Sequence, residues 1–294
     1  VAEQYNFPHI VLDYQDRFFD GVISNFVDSY ANGETPVPCI QCNQTVKFSD
    51  LLGESKKLNA DTLVTGHYAI RSGGLKNAKL FKAKDLKKDQ SYFLFATLQD
   101  QLDYVRFPLG NYLKSEIRQM ARDFKLNVSD KADSQDICFV TSNSYRELIS
   151  KIKPNINSEG NIFDINGNII GKHKGISNYT VGQRKGIGIG GQDKPLYVKE
   201  VNKNQNYIVL GTIETLQKNK ISFKNMNILD NEISLTELEC SAKIRSTQNE
   251  VSGILHADNH SGYFLFDEPI SSTSPGQACV FYKNDQVLGG GWIA

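Results

Sequence analysis

Apolar side chains recur at helical spacing in three segments of the chain. The first runs from Phe18 to Tyr30 and ends before Gly33, a residue typical of helix ends. The second covers Val46 to Leu58, and the third runs from Leu113 to Phe124. The pattern predicts three amphipathic helices, each with one face directed towards a core.

Two short apolar runs among these helices have the composition of buried strands. HIVLDY (residues 9–14) follows a segment typical of a helix end, and Thr62–Thr65 leads into the tight turn Gly66-His67-Tyr68. Helices that alternate with apolar strands predict a parallel α/β sheet. Because ligands of such sheets bind beyond the carboxyl ends of the strands, Gly66 and His67 are candidate ligand contacts.

The pattern changes in the second half of the chain. Helical periodicity fades beyond residue 152, and from Leu196 onward short alternating runs such as LYVKEV, YIVLG and ACVFYK are separated by Asn, Asp and Gly. These runs predict antiparallel strands and a small β-barrel. We expect a catalytic α/β domain over residues 1–141, a small central α+β domain over 142–212 and the barrel over 213–294.

Composition narrows the class of protein. A chain of 294 residues with 39% hydrophobic content can bury a core in two or three domains. Its longest apolar runs fall far short of the roughly 18 residues of a membrane span, so we expect no membrane association and no signal segment. Five cysteines, an odd number without regular spacing, favour a reducing cytoplasm over a disulfide scaffold.

The net charge of the chain neither favours nor excludes nucleic-acid binding, because Lys+Arg and Asp+Glu both number 33. Any RNA surface must therefore be local. Between Ile170 and Glu200, basic residues outnumber acidic ones, and this segment is either a phosphate-facing surface or a solvated face. The basic side chains are Lys172, Lys174, Arg184, Lys185, Lys194 and Lys199.

Candidate chemistry begins with a C-x-x-C pair. Cys39 and Cys42 stand just before the second predicted helix, where a helix N-terminus would lower the pKa of Cys42 and favour a nucleophilic thiolate. Half of a zinc site is the alternative, but zinc would require a second ligand pair, and the remaining cysteines are isolated. We therefore expect a reactive thiol and no metal centre.

Cys138 is the candidate partner of Cys42. It lies in the polar loop DSQDICF (residues 133–139), beside Ile137 and Phe139. By itself, such a cysteine is more typical of an inert buried thiol. Only its pairing with Cys42 gives it a chemical role.

Two further segments combine polar side chains with turn-forming residues. In KDQSY (residues 88–92), Asp89 or Ser91 can cap a helix, or the cluster can contact phosphates and base edges. GQRKGIGIGG (residues 182–191) is rich in glycine and basic, but it lacks a Walker lysine followed by Ser or Thr. It can instead contact an RNA backbone, because glycine permits close approach and Arg and Lys supply charge.

Taken together, these motifs resemble the tRNA-specific 2-thiouridylase family (MnmA/TrmU). The matching segments, in family order, are PxPCxxCNxxxKF (36–48), TGHYA (65–69), KDQSYFL (88–94), DSQDICF (133–139), GQRKGIGIGG (182–191), SPGQACVFY (274–282) and LGGGWI (288–293). The resemblance implies an adenylating α/β domain, a small central domain and a C-terminal β-barrel. It also implies ATP-dependent replacement of oxygen by sulfur at position 2 of the wobble uridine of tRNA.

In this family, two cysteines carry the chemistry. The resemblance implies that Cys138 holds a persulfide delivered by a sulfur-donor protein and that Cys42 is the nucleophile. Cys42 attacks the persulfide to liberate sulfur and leaves a Cys42–Cys138 disulfide, or the persulfide attacks the activated uridine directly. The sequence does not distinguish these routes.

The resemblance also implies the binding residues. Gly66 is expected to contact ATP, with Mg²⁺ as the counter-ion of the nucleotide. Val37, Pro38 and Cys39 correspond to the segment that meets the target base. The expected tRNA contacts are His67, Lys88, Asp89, Gln90, Arg245, Ser246 and Gln277.

One family motif, the SGGxDSS loop that grips the ATP phosphates, does not occur in these 294 residues. From this we expect the chain to be a fragment, a mis-started gene product or a decayed enzyme. An inactive tRNA-binding remnant is therefore the alternative function. A zinc or redox module built on Cys39 and Cys42 ranks last.

Overall fold

A computed structural model describes residues 1–129, 137–140, 144–191, 193–230, 233–258, 260–271 and 273–294. Residues 133–136 of the DSQDICF motif and the expected domain boundary between residues 141 and 142 lie outside these ranges. The α-helices are α1 (Ala2–Tyr5), α2 (Gln15–Phe18), α3 (Asn25–Ala31), α4 (Pro38–Cys42), α5 (Leu52–Lys57), α6 (Gln99–Tyr104), α7 (Lys114–Asp123) and α8 (Tyr145–Ile152). No described helix is both long enough and apolar enough to cross a membrane.

The strands form three sheets. They are β1 (Leu63–Val64), β2 (Ile70–Ser72), β3 (Lys79–Phe81), β4 (Val105–Arg106), β5 (Gly160–Phe163), β6 (Ile169–His173), β7 (Tyr197–Asn202), β8 (Tyr207–Gly211), β9 (Lys218–Ile228), β10 (Leu238–Lys243), β11 (Val251–Ala257), β12 (Ser261–Ile270), β13 (Ala278–Lys283) and β14 (Gln286–Ile293). β1 and β4 pair in parallel, as the α/β pattern predicts. A four-stranded central sheet has the order β6-β5-β8-β7, and the remaining strands form an eight-stranded sheet.

Two continuous helical segments, residues 15–31 and 38–57, lie in the N-terminal third and are called the first and second rods. π-helical stretches, Phe19–Ser24 and Asn43–Leu51, join α2 to α3 and α4 to α5. The first rod buries the apolar face that its spacing predicts, with Phe26 and Val27 at its centre. The second rod begins at Pro38, eight positions before the predicted start at Val46, because proline is well suited to the first turn of a helix.

The predicted strand at residues 9–14 is wrong. This segment has no regular secondary structure, and Ile10 and Val11 are 56% and 81% exposed. A buried strand requires a paired neighbour and a covering layer, and the described residues provide neither here. In contrast, Lys114–Asp123 confirms the third predicted helix.

The barrel closes through antiparallel pairing of β13 with β14, in the strand order β13-β10-β11-β12-β9-β14. The hairpin of β2 and β3 extends its wall, since Leu80 and Phe81 of β3 pair with Val287 and Gln286 of β14. At Gly290, a Cβ atom would lie 2.7 Å from the ring of Phe95, so glycine lets that ring approach the wall. The N-terminal region and the barrel therefore share a sheet and a hydrophobic core.

Candidate active site at the cysteine-bearing rod

The PxPC segment starts the second rod at the edge of the shared core. Val37 precedes the first helical residue, Pro38, and Ile40 is fully buried. This anchoring leaves Cys39 exposed and Cys42 half-buried on the same helix. Both cysteines therefore lie on a rigid element.

Cys138 is held by its two neighbours. Ile137 and Phe139 pack against the cluster formed by α3 and α8, where the ring of Phe139 lies 5.2 Å from that of Phe26 in an edge-to-face arrangement. Cys138, between them, is exposed. The alternative of a buried thiol is thus wrong, because the apolar neighbours are the residues that pack.

A cleft of about 440 Å³ lies between the start of the second rod, the central domain and the barrel. It is lined by several of the residues predicted to bind substrate, namely Val37, Pro38, Cys39, Arg245, Ser246 and Gln277. Tyr92, Phe93 and Ile137 complete its N-terminal wall, and Gly182 and Gln183 come from the GQRKGIGIGG segment. Residues separated by more than 200 positions in sequence thus meet at one cavity.

Arg245 fastens the barrel to the central domain at this cleft. Its guanidinium donates to the carbonyl oxygen of Val181 at 3.4 Å, and the hydroxyl of Ser274 donates to the same oxygen at 2.9 Å. The side-chain amide of Gln277 donates to the carbonyl of Thr35 at 2.9 Å. Gly276 makes this approach possible, since a Cβ there would lie 3.0 Å from Glu34 and its φ is +83°. The SPGQ motif therefore joins the barrel to the segment before Pro36.

The KDQ motif does not line this cleft. The carboxylate of Asp89 accepts hydrogen bonds from the backbone of Ala83 at 2.9 Å and from the hydroxyl of Ser91 at 2.8 Å, so it shapes its own loop. The side chain of Gln90 accepts from the backbone of Tyr68 at 2.9 Å and ties this loop to the TGHYA turn. Lys88 is exposed beside them.

The pKa values of Cys39 and Cys42 respond to burial and to neighbouring charges. Burial raises the pKa of the Cys42 thiol, the ammonium of Lys47 opposes this rise, and Cys138 and Cys39 add to it. Burial likewise raises the pKa of Cys39, and Cys138 is the next largest influence. The predicted lowering of the Cys42 pKa is therefore wrong, because burial outweighs the opposing effect of Lys47.

His67 is held neutral. Its ring lies 6.0 Å from the rings of both Phe48 and Phe107, and Nδ1 is 2.9 Å from the hydroxyl of Thr65. Burial, together with the charge of Lys47, lowers the pKa of His67 to about 4. At neutral pH, His67 therefore carries no positive charge.

The sequence interpretation missed Lys47. Cys42 immediately precedes the π-helical stretch, in which backbone hydrogen bonds join residues five positions apart. This winding brings the side chain five residues after Cys42 towards the same face, and the ammonium of Lys47 acts on Cys39, Cys42 and His67 alike. An available signal was the lysine just before the final Phe48 of the PxPCxxCNxxxKF motif.

Gly66 lies two residues beyond β1, at the carboxyl end of the parallel pair, where the α/β pattern predicts a ligand. It is exposed, and a Cβ atom there would meet only Leu109 at 3.8 Å. A ligand can therefore approach the backbone here. Among the described residues, no group of three or more His, Cys, Asp or Glu side chains could hold a metal ion.

Family models match the chain in the same order as these structural units. Residues 1–142 match the tRNA methyl transferase HUP domain, residues 149–212 the tRNA methyl transferase PRC-barrel domain, and residues 218–293 the aminomethyltransferase β-barrel domain. Together they cover the rods, the central sheet and the barrel.

Proteins named tRNA-specific 2-thiouridylase MnmA are similar over the whole chain. The protein from Orientia tsutsugamushi (strain Boryong) is 49% identical over 296 residues, which cover 100% of this chain and 80% of the relative. Relatives from Wolbachia sp. subsp. Drosophila simulans (strain wRi) and Rickettsia conorii (strain ATCC VR-613 / Malish 7) are each 47% identical over 100% of this chain, covering 79% and 80% of their own lengths. The chain therefore belongs to the tRNA-specific 2-thiouridylase family.

Proposed function

We propose that this protein is a tRNA-uridine 2-sulfurtransferase that replaces the 2-oxygen of the wobble uridine with sulfur. The observation that carries the proposal is the position of Cys39 in a cleft completed by Arg245 and Gln277 of the barrel, with Cys42 on the same helix and the exposed Cys138 next to the cleft-lining Ile137. Release of sulfur from a persulfide by a second thiol requires neighbouring cysteines, and a cleft shared by three structural units suits a large folded substrate. Family membership supports the same reaction.

The proposed role of Cys138 is to carry sulfur. Its exposure suits it to receive a persulfide from a donor protein. The thiolate of Cys42 then attacks the inner sulfur of that persulfide, forming the Cys42–Cys138 bond and releasing hydrosulfide, which attacks C2 of the uracil. In the alternative route, the terminal sulfur of the persulfide attacks C2 directly.

A uracil carbonyl is a poor electrophile, and ATP supplies the chemistry that turns its oxygen into a leaving group. The residue that fits a nucleotide is Gly66, with its exposed backbone at the carboxyl end of β1. Mg²⁺ would accompany the phosphates of ATP as their counter-ion. Five free cysteines suit a reducing cytoplasm as the place of reaction.

For tRNA, we propose that Val37, Pro38 and Cys39 face the target base and that Arg245, Ser246 and Gln277 contact the backbone or nearby edges. Lys88, Asp89, Gln90 and His67 would form a second contact region, with Asp89 shaping the loop rather than meeting phosphate. We keep the boundaries after residues 141 and 212, which the ranges of the family models support.

The test is formation of 2-thiouridine in tRNA with ATP, using either a persulfide-donor protein or free sulfide, by the chain fused to an N-terminal SGGxDSS segment from a relative that carries this loop. With the persulfide donor, Cys42→Ser and Cys138→Ser should each abolish product, whereas Cys240→Ser should not. Free sulfide bypasses the carrier, so Cys138→Ser should regain activity there. Binding of tRNA without product in any arm would instead favour a non-catalytic tRNA-binding protein.

A further inference from the structure

The three thiols near the cleft differ in exposure. Cys39 and Cys138 are exposed, whereas Cys42 is half-buried. If sulfur release leaves a Cys42–Cys138 disulfide, one sulfur of that bond is partly shielded from an external reductant. Thiol–disulfide exchange requires access to the attacked sulfur, so an external reductant can readily attack this bond at Cys138 alone, whereas both sulfurs of a Cys39–Cys138 bond are exposed.

Cys39 is a third thiol within reach of that disulfide. It lies three residues before Cys42 on the same helix, and side chains at this spacing are neighbours on the helix surface. It also lines the cleft together with Ile137, the residue next to Cys138. Of the charged groups that change the pKa of Cys39, Cys138 has the largest effect.

Lys47 stabilises the thiolate that leaves on Cys42. Its ammonium is the largest charge influence on Cys42 and opposes the rise in pKa that burial causes. A thiolate stabilised by a nearby cation leaves a disulfide more readily. The groups that face Cys42 are thus Cys39 and Lys47 of its own helix and Cys138 of the segment 137–140.

We propose that Cys39 is a resolving thiol that moves the disulfide from the half-buried Cys42 to the exposed pair Cys39–Cys138. This inference rests on the proposed function. The thiolate of Cys39 attacks Sγ of Cys138, the Cys39–Cys138 bond forms, and the Cys42–Cys138 bond breaks. The electron pair of the broken bond stays on Cys42, beside Lys47. The exchange therefore consumes no oxidant or reductant. A dithiol reductant then attacks the exposed bond and restores both thiols.

The test follows the disulfides of the full chain directly and needs no tRNA. The protein is oxidised with one equivalent of diamide, quenched with acid after increasing times, alkylated and mapped by mass spectrometry. The unsubstituted (original) chain should show the Cys42–Cys138 disulfide first and the Cys39–Cys138 disulfide later. Cys39→Ser should retain Cys42–Cys138, and its reduction by dithiothreitol should be slower by about tenfold or more, because the intramolecular step is lost. Cys39→Ala should behave like Cys39→Ser, and Cys240→Ser should behave like the original chain.

Two results would overturn different parts of this scheme. Failure of Cys39→Ser and Cys39→Ala to form Cys42–Cys138 would remove the thiol pair on which the proposed function rests. If that bond forms in both variants, yet the original chain never yields Cys39–Cys138 and all chains are reduced equally fast, the resolving role is wrong while the pairing stands.

Discussion

The buried hydroxyl of Tyr92 donates a hydrogen bond to the carbonyl oxygen of Ala278 at 3.0 Å. This bond links the residue after the KDQS segment to the first residue of β13, 186 positions later in the sequence. Tyr92 also lines the cleft beside Cys39. The wall of the candidate site and the barrel are thus joined by a hydrogen bond shielded from water.

Replacing Tyr92 by Phe removes the hydroxyl while preserving the ring. The carbonyl of Ala278 then lacks its partner in a fully buried position, so the free energy of unfolding should fall by about 1–3 kcal/mol. Urea denaturation with an unchanged m-value measures this loss. Tyr112→Phe, at a residue 39% exposed, is the matched control, and equal effects of the two substitutions would contradict the role of this bond.

Lys47→Met should make Cys42 less reactive. With the ammonium removed, the pKa of Cys42 rises further, because burial is no longer opposed by a nearby positive charge. The rate of iodoacetamide alkylation of Cys42, followed by peptide mass spectrometry, should therefore shift to higher pH. Lys47→Arg should largely preserve the profile, and Lys57→Met on α5 serves as the control. An unshifted Lys47→Met profile would remove Lys47 from the site.

His67 should make stability fall in mild acid. Its folded pKa, about 4, lies below the unfolded value of 6.5, so the unfolded chain binds a proton that the folded chain does not. The free energy of unfolding therefore keeps its full contribution from the neutral ring above pH 6.5. This contribution falls by at most about 3 kcal/mol as the pH falls towards 4.

Urea midpoints measured between pH 4 and pH 7 check this dependence. His67→Gln should flatten the slope in that window, whereas substitution of the exposed His9 by Gln should leave the slope unchanged. Parallel slopes in the original chain and His67→Gln would show that other groups dominate.

Binding of tRNA should depend on salt through a few local cations, since the charges of the whole chain balance. Lys88→Ala and Arg245→Ala should each weaken binding and reduce the slope of log K against log salt by about 1. Lys76→Ala, in an exposed loop, is the control. Filter binding at several salt concentrations provides the measurement, and slopes unchanged in both variants would remove the proposed contacts.

Local patterns in the sequence were sufficient for much of the fold. Helical spacing in residues 18–30 and 113–124 predicted helices that the structure confirms, and alternation in the second half predicted the antiparallel barrel. In the first rod, the pattern succeeds because a buried face imposes its own period on the sequence, whereas α7 forms although none of its residues is buried. The apolar segment HIVLDY failed for the complementary reason: composition alone does not supply the neighbouring strand that a β-strand requires.

Within the candidate site, the sequence by itself supplied the candidates through their resemblance to family motifs: Cys39, Cys42 and Cys138, and the cations at 88 and 245. Only the tertiary structure decided that Cys138 is exposed, that Cys42 is half-buried and that Arg245 meets the cleft. Exposure, and with it the pKa of a thiol, depends on packing between segments distant in sequence, such as Phe139 against Phe26. No local pattern encodes such contacts, because they arise only when the chain is folded.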